Sequence, residues 1–487
     1  MNIKKKTDCK YIVLLLIFMA FIAACSDHNH PTDILENLPI LPEKELRGIW
    51  MTTAWGLDWP MGNYDEKVQK KLYTDYLDLC ESCHINAIFF QVRSMADAFY
   101  DSRYESWSKT ITGVTGQKPS YDVLNFLIDE AHKRGIQFHA WINPYRIATR
   151  ADKSQSFSEL DAKIPQMWVK DYDKVRIYNP ALPEVWQRIS DIVKELLSHY
   201  DVDGIHFDDY FYPSLSSSES MKDDAEYAQY GKGTFGSIED FRRHNVDTVV
   251  QKVQQVIRDV KPWVVFSISP AADNTYNYNT IYADVLKWSQ NGWTDVIIPQ
   301  LYFSTGTDDS SFNQLLYWWS QFTYKNTLMV GYGIYKFGDS TQGEQFQSSD
   351  DLKKQFAYAT SMKKVKGGLL YSAKYLTENK VGITDVIKDE YKNPALPPCV
   401  ISSMANNKPE VPSGVLASKG ELSWTGTGQE EVKYAVYKSN GPGKTATLLG
   451  TTSGTSYPLS EKGTYFVTSV NRYNVESDLS KLTRWGN

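Results

Sequence analysis

Short apolar, β-branched runs alternate with longer amphipathic stretches from about residue 45 to residue 390. The apolar runs predict strands at residues 45–52, 85–93, 136–143, 203–209, 263–270, 295–302, 327–334 and 366–373. The amphipathic stretches predict helices at residues 66–82, 121–134, 184–199, 237–259, 281–290, 311–323, 350–363 and 380–390. This alternation is typical of α/β proteins with a parallel sheet. Eight units predict a (β/α)8 TIM barrel over residues 45–392. A doubly wound sheet is the alternative, but the G-x-G-x-x-G of dinucleotide-binding folds does not follow the first strand.

Three long connections, at residues 94–120, 144–182 and 210–236, each follow a strand and precede a helix. In a barrel they all lie at the C-terminal ends of the strands, where barrel enzymes carry their active sites. Long loops in compact domains are usually functional or disordered, and these are rich in Trp, Tyr, Asp and Arg. We therefore expect a functional site on this face.

The pattern changes at residues 393–412, where five prolines and polar residues predict a linker. Short strand-like runs separated by turns then predict a small all-β sandwich over residues 413–487. Trp424 and Tyr465 are placed as in a fibronectin type III module, which this segment resembles. We expect few contacts across the linker and independent folding of the two domains.

The beginning of the chain predicts export. Residues 1–24 combine four lysines with an apolar run of 14 residues from Tyr11 to Ala24, which is typical of a secretory signal peptide. The sequence Ile-Ala-Ala-Cys that ends at Cys25 resembles a bacterial lipobox. That resemblance implies a lipid such as palmitate on Cys25 and a protein anchored to a membrane of the cell envelope, with the outer membrane favoured. Residues 25–44 are then a tether.

Composition limits the partners. The net charge of −6 and the lack of a basic stripe argue against nucleic acid. Cys80 and Cys83 have no second pair with zinc-site spacing, so we expect plain thiols or a local disulfide, and no metal or cofactor. The aromatic share of 14% suits either a large aromatic core or the flat apolar faces of sugars.

Polar residues at the strand ends outline a candidate site. Alternation along the fourth strand turns His206 and Asp208 into the barrel and leaves Ile205 and Phe207 against the helices. Asp208 is the first candidate catalytic residue and Asp209 is the second, although a salt bridge that closes the barrel would also explain Asp208. The same reasoning predicts substrate-binding residues, which are Gln91, Arg93, Trp141, Asn143, His206, Tyr210, Gln300, Tyr302 and Lys374. Hydrogen-bonding groups and rings around carboxylates suit a glycan substrate.

Five segments carry a family resemblance: ELRGIWMTT, INAIFFQVR, FHAWINPYR, VDGIHFDDYFYP and DVIIPQLYF. Over residues 44–390 the chain resembles the glycosyl-hydrolase-like 10 family. This implies a barrel related to glycoside hydrolases, carried by bacterial lipoproteins and associated with cell-envelope glycans. The fourth strand is also similar to the D-G-x-D-x-D-x-E signature of family 18 chitinases, but Tyr210 stands where the acidic glutamate belongs. Another carboxylate must then protonate the leaving group, and the loop candidates are Asp97, Asp101, Glu105 and Asp273.

The expected activity is hydrolysis of glycosidic bonds in a bacterial cell-envelope glycan, with peptidoglycan strands favoured. Asp208 is expected to act as nucleophile or to stabilise the oxocarbenium-like transition state, and Asp209 to act as acid or to tune Asp208. Retaining, inverting and substrate-assisted mechanisms stay open. The alternatives are a catalytically inactive glycan-binding lipoprotein, a hydrolase of a foreign polysaccharide, and a metal-dependent hydrolase, whose expected H-x-H is absent from the first strand.

Overall fold

The computed structural model describes residues 38–429 and 431–486. The predicted signal peptide and Cys25 lie outside the described residues. Among the helices within these ranges, none is long and apolar enough to cross a membrane.

Eight parallel strands close into a barrel in which each strand pairs with its neighbours in chain order. They are β1 Leu46–Met51, β2 Ala87–Arg93, β3 Gln137–Ile142, β4 Gly204–Phe207, β5 Val265–Ile268, β6 Val296–Ile297, β7 Thr327–Tyr332 and β8 Val365–Tyr371. β1 pairs with both β2 and β8 and so closes the barrel. The predicted (β/α)8 barrel is confirmed.

A helix follows each strand. The helices are α1 Glu66–Ser82, α2 Val123–Lys133, α3 Pro183–His199, α4 Ile238–Val260, α5 Val285–Asn291, α6 Phe312–Phe322, α7 Asp350–Ser361 and α8 Ile383–Glu390. Side-chain oxygens of Asp65, Asp122 and Ser237 accept hydrogen bonds from backbone N–H groups in the first turns of α1, α2 and α4. Each such cap stabilises a helix by about 1 kcal/mol, because the N–H groups of a first turn have no partner within the helix.

The strands separate two apolar layers. Ile205 and Phe207 of β4 belong to the large cluster between strands and helices. Trp50 and Phe89 lie in a second cluster inside the barrel. The inside–outside alternation predicted for β4 is therefore present. Cys80, near the end of α1, and the neighbouring Cys83 are buried free thiols, which is one of the two expected alternatives.

The long loops at the C-terminal strand ends have structure of their own. The β3–α3 loop forms a three-stranded antiparallel sheet from Arg146–Thr149, Val169–Asp171 and Val175–Tyr178, which we call the loop sheet. Asp97–Ala98 and Ser106–Trp107 pair within the β2–α2 loop. These loops form walls around the mouth of the barrel.

The C-terminal segment forms two antiparallel sheets. Its strands are β9 Ser413–Ser418, β10 Glu421–Thr425, β11 Lys433–Ser439, β12 Thr447–Thr452, β13 Ser456–Pro458, β14 Gly463–Val470 and β15 Thr483–Trp485. One sheet has the order β9-β10-β13 and the other β12-β11-β14-β15. Trp424 and Tyr465, from different sheets, share one core, and the Tyr465 hydroxyl donates a hydrogen bond to the carbonyl of Glu461. The segment is thus a small sandwich, and its likeness to fibronectin type III stays a prediction.

The first half of the predicted linker, up to Ile401, packs against the rest of the protein instead, whereas most residues from 402 to 412 are exposed. Leu396, Val400 and Ile401 are buried, and the last two join the same cluster as Trp50 inside the barrel. The expectation of few contacts is wrong. The prolines keep this segment extended, but the apolar side chains between them cover the end of the barrel away from the mouth.

The sandwich also contacts that end of the barrel. Arg472 forms an ion pair with Asp201, just before β4, with 2.9 Å between nitrogen and oxygen. Gln137, the first residue of β3, donates a hydrogen bond to the side-chain oxygen of Asn474 at 3.1 Å. Both barrel residues lie at N-terminal strand ends, so the sandwich and the mouth occupy opposite ends of the barrel.

Candidate active site

Two successive carboxylates stand at the C-terminal end of β4. Asp208 is buried, with 3% of its surface exposed. The indole N–H of Trp141 donates to its Oδ2 at 2.9 Å, and the backbone N–H of Tyr210 donates to its Oδ1 at 3.3 Å. Asp209 is half-buried and lines a cavity of about 710 Å³ at the mouth. The predicted pair is therefore adjacent in space, with one member held firmly and the other open to the cavity.

Burial sets the protonation of this pair. It raises the pKa of Asp208 to about 7, with a smaller upward contribution from the charge of Asp209, while the Arg146 guanidinium acts in the opposite direction. Burial also raises the pKa of Asp209, opposed mainly by a hydrogen bond from Gln300. Because the pKa values of both carboxyls are raised, that of Asp208 to about 7, the pair retains a proton close to neutral pH. One site then holds both a proton donor and a negative charge.

Arg146 is a site residue that the sequence reasoning missed. Its guanidinium carbon lies 3.6 Å above the centre of the Tyr210 ring, and its backbone N–H donates to Oδ1 of Asn143 at 3.0 Å. Arg146 is the first residue of the loop sheet, and its side chain reaches the segment that follows β4. The only signal in the sequence was its place in FHAWINPYR, one of the segments that carry the family resemblance.

A cavity of about 710 Å³ opens between the loop sheet and the segment that follows β4. This volume falls within the range of about 300–1,000 Å³ that is usual for small-ligand sites. Its lining includes Trp55, Arg146, Arg150, Lys174, Asp209 and Tyr210. Exposed rings, cations and one carboxylate therefore meet in a single cleft.

Five predicted substrate-binding residues lie at or near this mouth. The Tyr210 side chain is 50% exposed, and Trp141 is 6% exposed beneath it. Gln300, Tyr302 and Lys374 are half-buried. The ring of Tyr302 stacks on that of Tyr371, with 5.9 Å between the ring centres. That these five residues contact a ligand stays a prediction.

Gln91, Arg93 and Asn143 lie below the mouth, and each is at most 2% exposed. Oε1 of Gln91 accepts hydrogen bonds from the backbone N–H groups of Thr53 and Ala54, at 3.1 and 3.0 Å. The predicted direct contact with substrate does not fit this burial. The three side chains instead support the loops that form the mouth, because their polar groups point into the protein.

His206 has a similar position. It is completely buried, and burial holds its pKa well below the usual range, so the ring is neutral. The indole N–H of Trp50 donates to Nε2 at 3.0 Å, which leaves Nδ1 to donate to the hydroxyl of Ser267 at 2.8 Å. With both nitrogens occupied, His206 forms the layer below Asp208 and does not face a ligand.

The four loop carboxylates considered as acids are dispersed. Asp101 is exposed and pairs with Lys118, and Asp273 caps a short helix. Glu105 is buried against Arg93 at 3.1 Å. Asp97 lines a second, smaller cavity, but its Oδ1 accepts hydrogen bonds from its own loop. None of the four lines the cavity that holds Asp209.

The fold and this site define the class. A (β/α)8 barrel whose mouth holds two adjacent carboxylates in a cleft with aromatic walls is a glycoside-hydrolase-like barrel. The chain belongs to the glycosyl hydrolase-like 10 family, whose model matches residues 45–348.

Two relatives and one solved structure illustrate the similarity. Glycosyl hydrolase YngK of Bacillus subtilis (strain 168) is 34% identical over 522 residues, covering 99% of this chain and all of the relative. Glycosyl hydrolase DigH of Escherichia coli (strain K12) is 33% identical, covering 68% of this chain and 84% of the relative. The glycoside hydrolase domain of PgaB (BpsB) from Bordetella bronchiseptica superimposes with a TM-score of 0.47 and 10% identity, covering 71% of this chain and 98% of that domain.

Proposed function

We propose that this protein hydrolyses glycosidic bonds with Asp208 and Asp209. The observation that carries the proposal is the carboxylate pair itself, whose pKa values are both raised and of which Asp209 lines the 710 Å³ cavity at the mouth. Glycoside hydrolysis needs a proton donor for the leaving oxygen and a negative charge, or a base, for the cationic transition state. A pair in which one carboxyl keeps its proton while the other is ionised supplies both.

The positions of the two carboxylates support different roles. Asp209 lines the cavity, so it can reach a glycosidic oxygen and donate the proton. Asp208 is fixed by Trp141 and lies deeper, and with the proton of the coupled pair on Asp209 it carries the charge that stabilises the oxocarbenium-like state. Arg146 lowers the pKa of both and so keeps one of them ionised. Asp209 thus takes the role of the glutamate in the chitinase signature. Tyr210, which stands at the position of that glutamate, has no carboxylate.

We propose a cell-envelope glycan that bears carboxylates, such as peptidoglycan strands, as the substrate. Arg150 and Lys174 line the cavity, and within residues 38–429 and 431–486 neither forms an ion pair. Arg150 uses its guanidinium on backbone carbonyls of Asp173 and Gln155. A chain with a net charge of −6 thus presents positive charge beside its catalytic pair, which would attract an anionic sugar.

Lys174→Gln should raise KM on peptidoglycan glycan strands by about two- to fivefold at low salt, the range for an exposed charge pair. Turnover should hold, because Lys174 is exposed and forms no ion pair with Asp208 or Asp209 among the described residues. The same variant should leave KM unchanged on neutral chitooligosaccharides and in high salt. Lys153→Gln, an exposed lysine on the same loop outside the cavity lining, is the matched control.

The direct test of the activity is incubation with a panel of glycans, with and without chelator, followed by mass analysis of the products. Cleavage of peptidoglycan strands supports the full proposal, and cleavage of another polysaccharide alone favours the foreign-substrate alternative. Binding without any product would favour an inactive glycan-binding protein. Loss of activity with chelator would favour a metal-dependent reaction.

We propose that the protein is anchored to a membrane of the cell envelope through lipid on Cys25. The Cys25→Ser variant should lose the lipid mass and give unprocessed or soluble protein, because a serine hydroxyl does not replace the thiol that receives the lipid. Unchanged fractionation and mass for this variant would contradict the anchor. Cys399→Ser, which changes a half-buried thiol in the described part of the chain, serves as the control.

A further inference from the structure

Trp55 stands out in the loop between β1 and α1. Its side chain is 70% exposed, whereas Ala54 before it is 4% exposed and Trp59 a few residues later is completely buried. Exposed indole surface contributes nothing to the stability of the barrel, because apolar area stabilises a fold only when it is removed from water. At the mouth of the site this ring is free to cover the apolar face of a ligand.

The backbone holds this indole in place. Trp55 has a φ of 54°, in the left-handed region that side chains larger than Asn rarely adopt. The N–H of Ala54 donates to the side chain of Gln91 at 3.0 Å, and the N–H of Gly56 donates to the carbonyl of Thr53 at 2.8 Å. The buried Gln91, predicted to touch substrate, thus fixes the loop that presents Trp55.

Trp55 also lines two separate cavities. On one side is the 710 Å³ cavity with Asp209, and on the other is a cavity of about 240 Å³ between the β2–α2 loop and the loop sheet. The smaller cavity has Trp107 and Asp97 in its lining. Thr149 of the loop sheet belongs to both linings. The indole and Thr149 therefore lie between the two cavities.

We propose that Trp55 is a stacking platform for a sugar ring and that the two cavities hold consecutive parts of one glycan chain. An indole face covers the C–H face of a pyranose and removes apolar area of both from water. The smaller cavity then binds sugars remote from the bond that is cut. The inference rests on the proposed function, and it makes an extended chain, rather than a short terminal unit, the preferred substrate.

The test measures kcat and KM for wild type, Trp55→Ala and Trp55→Phe on peptidoglycan glycan strands fractionated by length. Trp55→Ala should raise KM on long chains by about tenfold, the size of one aromatic contact, and kcat should change less than about twofold. KM on the shortest cleaved chain should rise less, because that chain does not reach the second cavity. Trp55→Phe should recover part of the loss. The melting temperature should not fall, since the indole is exposed.

Tyr317→Ala is the matched control, because this tyrosine on α6 is 54% exposed and lines neither cavity. An unchanged KM on long chains for Trp55→Ala would overturn the inference, and so would an equal rise for every chain length. A wild type that cleaves none of the strands would defeat the proposed function. In that case, the retention of the same strands on immobilised wild type and on immobilised Trp55→Ala tests whether Trp55 binds the glycan. Equal retention of long strands by both proteins would overturn the inference.

Discussion

Asp208→Asn should lower turnover on a verified glycan substrate by about a thousandfold or more, equivalent to ~4 kcal/mol of activation barrier. Asparagine can still accept the hydrogen bond that the Trp141 indole donates to Asp208, so the geometry of the site survives. It carries no charge, however, and cannot stabilise a cationic transition state. The loss should therefore appear in kcat rather than in KM.

The same variant should change the pH dependence of stability. Burial raises the pKa of Asp208 from 3.8 to about 7, so between these values the folded protein binds more protons than the unfolded chain. The stabilising contribution of the protonated group is full below the lower value and is lost as pH rises through the upper one. The asparagine side chain does not ionise, so the melting temperature of the variant relative to wild type should rise between about pH 4 and about pH 8.

Turnover and melting temperature measured side by side separate the explanations. Asp101→Asn, in an exposed ion pair away from the cavity, should match wild type in both. Asp209→Asn should lower turnover by about a hundredfold, less than Asp208→Asn, and should change the pH profile, because it removes the proton donor. Wild-type turnover in Asp208→Asn would refute the assignment. An Asp208→Asn protein that is inactive only because it is unfolded would favour a structural role for the carboxylate.

A chain shortened to end at Asn393 should be strongly destabilised. It loses Leu396, Val400 and Ile401, and a buried aliphatic side chain stabilises a fold by about 1.5–3 kcal/mol at most. It also exposes the apolar cluster inside the barrel, to which Val400 and Ile401 belong. A domain has only about 5–15 kcal/mol in total, so we expect a fall in melting temperature of about 10 °C or more, together with aggregation.

A second shortened chain, ending at Asn407, keeps the packed segment and removes only the sandwich. It should regain much of the lost stability, although it still lacks the ion pair between Arg472 and Asp201. Thermal unfolding of the two shortened chains and of the full chain makes the comparison. An unchanged transition in the chain that ends at Asn393 would mean that this packing contributes nothing and that the barrel folds alone.

The sequence by itself determined the barrel and the place of the carboxylates. The spacing of apolar residues in a strand or a helix reflects which of its faces must be buried, so the alternation of the two patterns predicted eight units. The strands and helices form at the predicted positions. Alternation along β4 predicted that Ile205 and Phe207 face outward and His206 inward. Ile205 and Phe207 lie in the outer apolar layer, and His206 contacts Trp50 of the inner one. Asp208 and Asp209 follow at the end of the strand, so their position at the mouth required only local geometry.

Only the tertiary structure decided which polar residues reach the cavity. Parity turns Gln91 and His206 inward but does not reveal their partners, and groups from distant segments occupy their hydrogen-bonding atoms. Arg146 and Trp55 enter the cleft from loops whose paths depend on contacts far along the chain. The same holds for the apolar residues between 395 and 401, which lie in a segment as proline-rich as a solvated linker. The last two of them are buried because they pack on the apolar cluster inside the barrel, and that cluster exists only once the eight strands have formed the barrel.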